Sequence, residues 1–390
     1  MASKKKAAKA PVAKETVTQS EPKNREAKER DAKTIAKIQK LASQAVATVR
    51  GGRNPALEIR PRALSNVSFN EKKRIIELGD KVQSREFFNT AMARKFMQTF
   101  IIANGCKSLI DQDKTVSIRQ LYYMTKHTVE GTSENTFEEQ NESDPIIEDL
   151  EVAADALREE LHLFANRKGS LVGDLVINDS GDEIDLGKLG SGGWAIPGIC
   201  EPSKIKFLRN KAKYVLFVEK DAIFSRFNED KFWKKNECIV MTSGGQATRG
   251  VRRLLQRIAT ELKLPVYVIV DNDPWGLYIY SVLKQGSISL AYESMRLAVP
   301  NVRFLGMSAF DYKKFALPTT VQIKLSKEDI ARAGQMKAYP WFKDKKWQRE
   351  IDGGLDNGFK MELDSILTKG ISFITDDYIP KKLRDRDYLD

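Results

Sequence analysis

Three carboxylates in this chain stand where a metal ion could be held. Glu219 ends the apolar run Tyr214–Val218, and Asp271 and Asp273 close the run Tyr267–Val270. Unbroken β-branched and aromatic runs of this length suit strands buried on both faces of a parallel sheet. Ligands gather at the carboxyl ends of such strands, which is where the three acids fall. Asp271 and Asp273 are two apart, so they point the same way if the strand continues through them. Three oxygen donors converging on one point repel each other unless a hard cation lies between them, and Mg²⁺ is the usual one. A single acid after a strand is ordinarily a strand end or a helix cap. Asp-x-Asp-Pro-x-Gly is a stronger signal, because Pro274 and Gly276 fix the turn that aims the pair.

The elements that must carry these acids are legible around them. Between the two runs lie CIVMT (238–242), then SGGQATRG, then VRRLLQRIATEL, ending near Leu264. Strand, helix, strand, helix, strand is a parallel α/β crossover fold, right-handed by the usual rule. Gly244–Gly245 ahead of a helix amino terminus has the form of a phosphate-holding turn without being a Walker loop. The helix that follows carries Arg249, Arg252, Arg253 and Arg257, a candidate DNA-facing set.

VEKDAIFSRF, SGGQATRG and VDNDPWGLYIY together resemble the Toprim domain of topoisomerases, primases and some nucleases. Their wording is closer still to the A-subunit family of topoisomerase VI. That family requires a tyrosine nucleophile elsewhere, and Arg119-Gln-Leu-Tyr122-Tyr123 is similar to its nucleophile segment, shared with the meiotic double-strand-break transesterase. In the family pattern the second aromatic of the pair attacks, which implies Tyr123, and Arg119 matches the basic residue one turn earlier. Positions 119 and 123 share a helical face, so guanidinium and phenol can reach one phosphate. A phenol, with an ordinary pKa of about 10, keeps the energy of the broken phosphodiester in an ester that a DNA hydroxyl can reverse. It needs deprotonation and charge neutralisation at the phosphate to act. Lys114 and Lys126 flank this helix as further candidate DNA contacts. His127 lies one turn beyond Tyr123, where a solvent-facing or capping role is the ordinary reading.

Around that motif the chain reads as helices at 71–78, 84–102, 117–127 and 145–164, followed by a strand, the turn NDSGDE and a strand. Helices followed by a β-hairpin are the winged-helix plan. The expected division is a basic, mostly disordered extension and linker (1–62), a winged-helix domain (66–195), and a Toprim domain with a carboxyl-terminal helical elaboration (200–390). Residues 1–23 read as disordered, whereas 24–49 favour helix with Ile35, Ile38 and Leu41 on one face. Trp341 and Trp347 read as core rather than base-stacking residues.

Composition sets limits on this reading. The net charge is +12, but residues 1–62 alone hold sixteen Lys or Arg against six Asp or Glu. High basicity is thus a property of the extension, and DNA contact by the body must come from local patches. Residues 127–157 hold ten acids and no Lys or Arg, a face that should lie away from DNA or meet a basic partner. Cys106, Cys200 and Cys238 lack metal-type spacing and read as reduced and structural. No apolar run is long enough for a membrane span, which suggests a cytoplasmic, nucleoid-associated protein, or a nuclear one in a eukaryote. No ATP-binding signature is present. The resemblance therefore implies a separate ATPase B subunit, a homodimer of this chain within an A2B2 assembly on double-stranded DNA, and a 5′-phosphotyrosyl link. It further implies that Tyr123 of one protomer works with the metal site of the other. A break-forming transesterase without strand passage, a Toprim nuclease, and a non-catalytic DNA-binding protein remain open on the residues alone.

Overall fold

The computed structural model describes residues 22–390, with side chains from residue 25. The disorder expected for residues 1–23 falls outside the described residues as far as residue 21. From Pro22 the extension is one helix, α1 (Pro22–Arg50), spanning the helix expected over 24–49. Ile38 is buried, with Ile35 and Leu41 packed beside it against Ile102, Cys106, Leu121 and Leu150, so the expected apolar face is the docking face.

Four short strands follow: β1 (Ala56–Ile59), β2 (Val67–Asn70), β3 (Ile75–Leu78) and β4 (Gln83–Glu86). The helix expected at 71–78 is instead the hairpin β2–β3, with β1 pairing β4 around it. Asn70 explains the difference. Its side chain accepts from Lys73 N at 3.0 Å while Arg74 N donates back to Asn70 O at 2.6 Å, a local turn that competes with helix. The next helix begins only at Thr90, where Asn89 caps it by accepting from Ala91 N, and α2 runs to Asp111. After β5 (Val116–Ser117) comes α3 (Ile118–Thr125), capped by Ser117 as expected. Helix α4 (Gln140–Ala153) is earlier and shorter than the 145–164 expected, since Asp155 turns left-handed at φ 45°. Strand β6 (Leu163–Phe164) then pairs parallel to β5.

Beyond it lie β7 (Ser170–Gly173), β8 (Leu175–Asp179), β9 (Asp182–Asp185), β10 (Trp194–Ala195) and β11 (Ile205–Asn210). The hairpin β8–β9 is present, but it pairs with β11 in a three-stranded sheet, while β7 joins the large sheet. That large sheet is built from β12 (Tyr214–Val218), α5 (Asp221–Glu229), α6 (Phe232–Lys235), β13 (Cys238–Thr242), α7 (Arg249–Glu261), β14 (Val266–Ile269), α8 (Pro274–Gln285) and β15 (Arg303–Gly306). Its order is β10-β7-β13-β12-β14-β15, with β13, β12, β14 and β15 parallel and β7 and β10 antiparallel at the edge. Alternate residues of β12 face two separate cores. Val215 and Phe217 meet α7 and α8 on one side, and Leu216 and Val218 meet α5 and the carboxyl-terminal segment on the other. Trp341 and Trp347 are buried in the first of these cores. All three cysteines are buried and unpaired. Among the described residues no helix is long and apolar enough to cross a membrane.

Candidate active site

Helix α3 holds two neighbouring tyrosines in opposite settings. Ser117 and Gln120 form a reciprocal capping box: Gln120 N donates to Ser117 Oγ at 3.2 Å, and Ser117 N donates to Gln120 Oε1 at 2.8 Å. The helix is thereby fixed in register, with Leu121, Tyr122 and Thr125 buried. Tyr122 is 6 % exposed, and its hydroxyl donates to Glu138 O at 2.9 Å while accepting from Lys126 Nζ at 3.0 Å. Tyr123 is 61 % exposed, and the Tyr122 ring meets it edge-on with centroids 5.0 Å apart. Arg119 lies one turn earlier and is exposed too. Lys114 is exposed, whereas Lys126 is held by Tyr122 and by Glu138 O. His127 Nδ1 rests 3.1 Å from Thr125 O, closing the end of the helix.

The acids lie at the carboxyl edge of the large sheet. The register sets Val218 against Thr242 on one side and Ile269 on the other, so Glu219 emerges beside the loop carrying Asp271. Glu219 is 9 % exposed and its Oε2 accepts from Asp271 N at 3.1 Å. Asp271 Oδ1 accepts from Leu363 N at 2.7 Å, and its Oδ2 lies 3.2 Å from Lys220 Nζ. Asp273 caps α8, accepting from Gly276 N at 2.6 Å. Gly276 is required there, since a Cβ would stand 2.3 Å from Asp271 O. Burial raises the Glu219 carboxyl to about 7, with the Asp271 and Asp273 charges adding to it against the Asp271 N–H. Burial raises Asp271 and Asp273 as well. These are oxygen donors that resist ionising without a cation, which fits a hard divalent ion. As they stand, no three His, Cys, Asp or Glu side chains among the described residues are disposed to hold a metal. Asp273 is turned to its helix cap and Asp271 to Lys220.

Two groups escaped the sequence reading. Lys220 bridges Asp271 to Glu362 and Asp364, at 2.8 and 2.7 Å. The segment 361–364 is tied to the Asp271–Asp273 loop, with Asn272 and Met361 exchanging backbone hydrogen bonds at 2.9 and 3.1 Å. Lys220 could have been noticed as the neighbour of Glu219. The partner segment, some ninety residues beyond Asp271, leaves no local signal.

The arginines of α7 do not form an exposed face. Arg249 is half-buried and held by Glu151 at 2.5 Å, Glu293 and the Tyr292 hydroxyl. Arg252 is buried with only Ser287 Oγ at 3.5 Å, and Arg253 makes a two-pronged pair with Glu201 at 2.8 and 3.0 Å. The physical reason lies in α4. Glu148 and Glu151 belong to the acidic stretch and meet Arg62, Arg158 and Arg249 of the same chain. In the loop before α7, the Gly245 N–H is already given to Glu219 O at 2.8 Å. Among the described residues no hydrogen bond or ion pair joins α3 to the three acids, so one chain holds the phenol and the carboxylates as separate sites.

Comparison with known proteins gives these sites a family. The family described as the Toprim domain of Spo11 and the topoisomerase 6 A subunit matches residues 214–383. Type IIB DNA topoisomerase matches 94–163, and the all-beta domain in DNA topoisomerase VI alpha subunit matches 167–211. The A subunit of type 2 DNA topoisomerase 6 from Pyrococcus horikoshii is 44 % identical over 362 residues, covering 90 % of this chain and 94 % of the relative. The chain belongs to the topoisomerase VI A-subunit family. Within the same family, the corresponding protein of Hyperthermus butylicus is 41 % identical, covering 92 % of this chain and 96 % of its own. The A3 subunit of DNA topoisomerase 6 from Oryza sativa subsp. indica is 31 % identical, covering 92 % and 79 %. The topoisomerase VI A-subunit family is type IIB, and its Toprim domain points to a divalent metal.

Proposed function

We propose that this chain is the DNA-cleaving and rejoining subunit of an ATP-dependent type IIB topoisomerase, with Tyr123 as nucleophile. The phenolic oxygen attacks a backbone phosphorus as its proton passes to solvent. The P–O3′ bond breaks, the 3′ oxygen takes up a proton, and a 5′-phosphotyrosyl ester remains. Attack by that 3′-hydroxyl on the ester reverses each bond change and reseals the strand. Arg119, one turn away and exposed, neutralises the phosphate. Glu219, Asp271 and Asp273 would hold Mg²⁺. When bound, the ion supplies positive charge to the phosphate oxygens. Lys114 is a further DNA contact, whereas Lys126 acts through its hold on Tyr122. The α2–α4 region presents the tyrosine as a winged-helix unit within residues 66–195, of which β7 and β10 join the large sheet, and residues 200–390 form the rest of the Toprim unit. Two copies set two such sites on one duplex, and a B subunit supplies ATP hydrolysis for strand passage, relaxation and decatenation.

The observation that carries this reading is the contrast on α3, where Tyr123 stands free and the Tyr122 hydroxyl is committed at both lone pair and proton. Denaturant trapping on DNA with the B subunit tests it. Tyr123→Phe is expected to abolish protein-linked ends. Tyr122→Phe is expected to retain them and to lose about 1 kcal/mol of stability with its hydrogen bonds. Loss of the adduct with Tyr122→Phe alone would reverse the assignment.

A further inference from the structure

Lys220 occupies the place that a metal ion needs. Asp271 has one oxygen, Oδ1, fixed by Leu363 N, so Oδ2 is the oxygen it can offer a cation, and Lys220 Nζ lies 3.2 Å from it. The same ammonium donates to Glu362 Oε2 at 2.8 Å and to Asp364 Oδ2 at 2.7 Å. Lys220 directly follows Glu219 in the chain, so its backbone cannot leave the site while Glu219 stays.

The ordinary reading is a rim ion pair, worth little and without consequence for metal binding. Two facts argue for more. The Lys220 side chain is only 24 % exposed and sits where the Asp271, Glu362 and Asp364 carboxylates meet. The second pair of anchors, Glu362 and Asp364, also sits on a segment locked to the metal loop through the Asn272–Met361 bridge, while both carboxylates remain half open to solvent. A lysine ammonium on a flexible four-carbon stem can swing between such anchors. A divalent ion binding carboxylate oxygen at close range displaces it.

We propose that Lys220 is a positioning residue, a resident counter-charge that holds Asp271 Oδ2 until a divalent cation enters and then moves wholly onto Glu362 and Asp364. This rests on the reading of Glu219, Asp271 and Asp273 as cation ligands. Mn²⁺ binding to the purified full chain, without DNA or B subunit, tests it by the electron paramagnetic resonance of the free ion. Lys220→Met is expected to tighten binding about tenfold, the scale of one partly buried charge pair, and Lys220→Gln carries the same expectation should the first variant not fold. Glu362→Gln with Asp364→Asn, which removes the second anchors, is expected to weaken binding several-fold. The triple variant is expected to bind as tightly as Lys220→Met. A triple variant that stays weak would overturn the proposal by making Glu362 and Asp364 metal ligands themselves. Unchanged binding in all variants would reduce Lys220 to a structural pair. If Glu219→Gln leaves the wild-type Mn²⁺ binding intact, the metal reading fails instead, and that outcome is distinct from both.

Discussion

Glu151 is a carboxylate enclosed by protein on every side, and its partners decide its behaviour. It accepts from Arg249, from Arg158 at 2.8 Å and from the Tyr292 hydroxyl at 2.6 Å. Burial favours its neutral form, yet the Arg249 and Arg158 charges outweigh this and hold its pKa below the 4.5 of a free glutamate. A carboxyl with a depressed folded pKa gives its full stabilisation above the unfolded value and loses it as pH falls through the folded one. Glu151→Gln is therefore expected to cost about 3 kcal/mol at pH 7, and the gap to wild type should narrow on acidification below 4.5. Urea midpoints of both proteins at pH 7 and in acid check this. Glu148 and Glu293, whose pKa values burial raises with the Glu151 charge adding to it, contribute with the opposite sign, and that contribution shrinks in the variant. The sequence showed this only in part: the acids read as a face turned from DNA or meeting a basic partner, and the arginines as a DNA face, whereas the basic partner is those arginines' own helix. The two stretches lie about a hundred residues apart, so no local signal pairs them. The Tyr122–Tyr123 choice was visible as a family pattern, but the hydrogen bonds that separate the two hydroxyls were not.

Elements were legible where the signal was local and continuous. The buried runs of β12, β13 and β14 and the acids that end them could be read because each strand is apolar on both faces. Ser117 announced α3 because a cap is a one-residue signal. The hairpin at 67–78 was not legible, because Glu71 to Leu78 suits a helix until the Asn70 side chain claims the turn. The joining of β7 to the large sheet depends on an antiparallel pairing with β13 that no periodicity announces. The turn between β14 and α8 is the tightest element of the site, and Gly276 is its constraint. Gly276→Ala is expected to cost about 2 kcal/mol, as overpacking does, and to lower covalent adduct formation by displacing Asp271 and Asp273 together. Urea unfolding beside the trapping assay separates this from global misfolding: the adduct should fall far more than the folded fraction at low denaturant.

At the scale of the molecule, the contacts of the chain leave the exposed Tyr123 and the carboxylates at the sheet edge apart, so the proposed site is split in two. Mixed dimers test how they combine. Tyr123→Phe and Glu219→Gln protomers, each inactive alone, form in the mixed dimer one complete site if the phenol of one copy works with the acids of the other. Protein-linked nicks in one strand are then expected, whereas pairing within a chain would leave the mixture without any. The α4–α7 contact bears on the same question, since Glu148 and Glu151 grip Arg249 and so latch the tyrosine-bearing helices onto the back of their own sheet. A gate wide enough for a second duplex cannot swing on that joint without exposing a bare glutamate and a bare arginine. In the proposed homodimer the seam that parts would therefore run between copies, each chain travelling as one jaw.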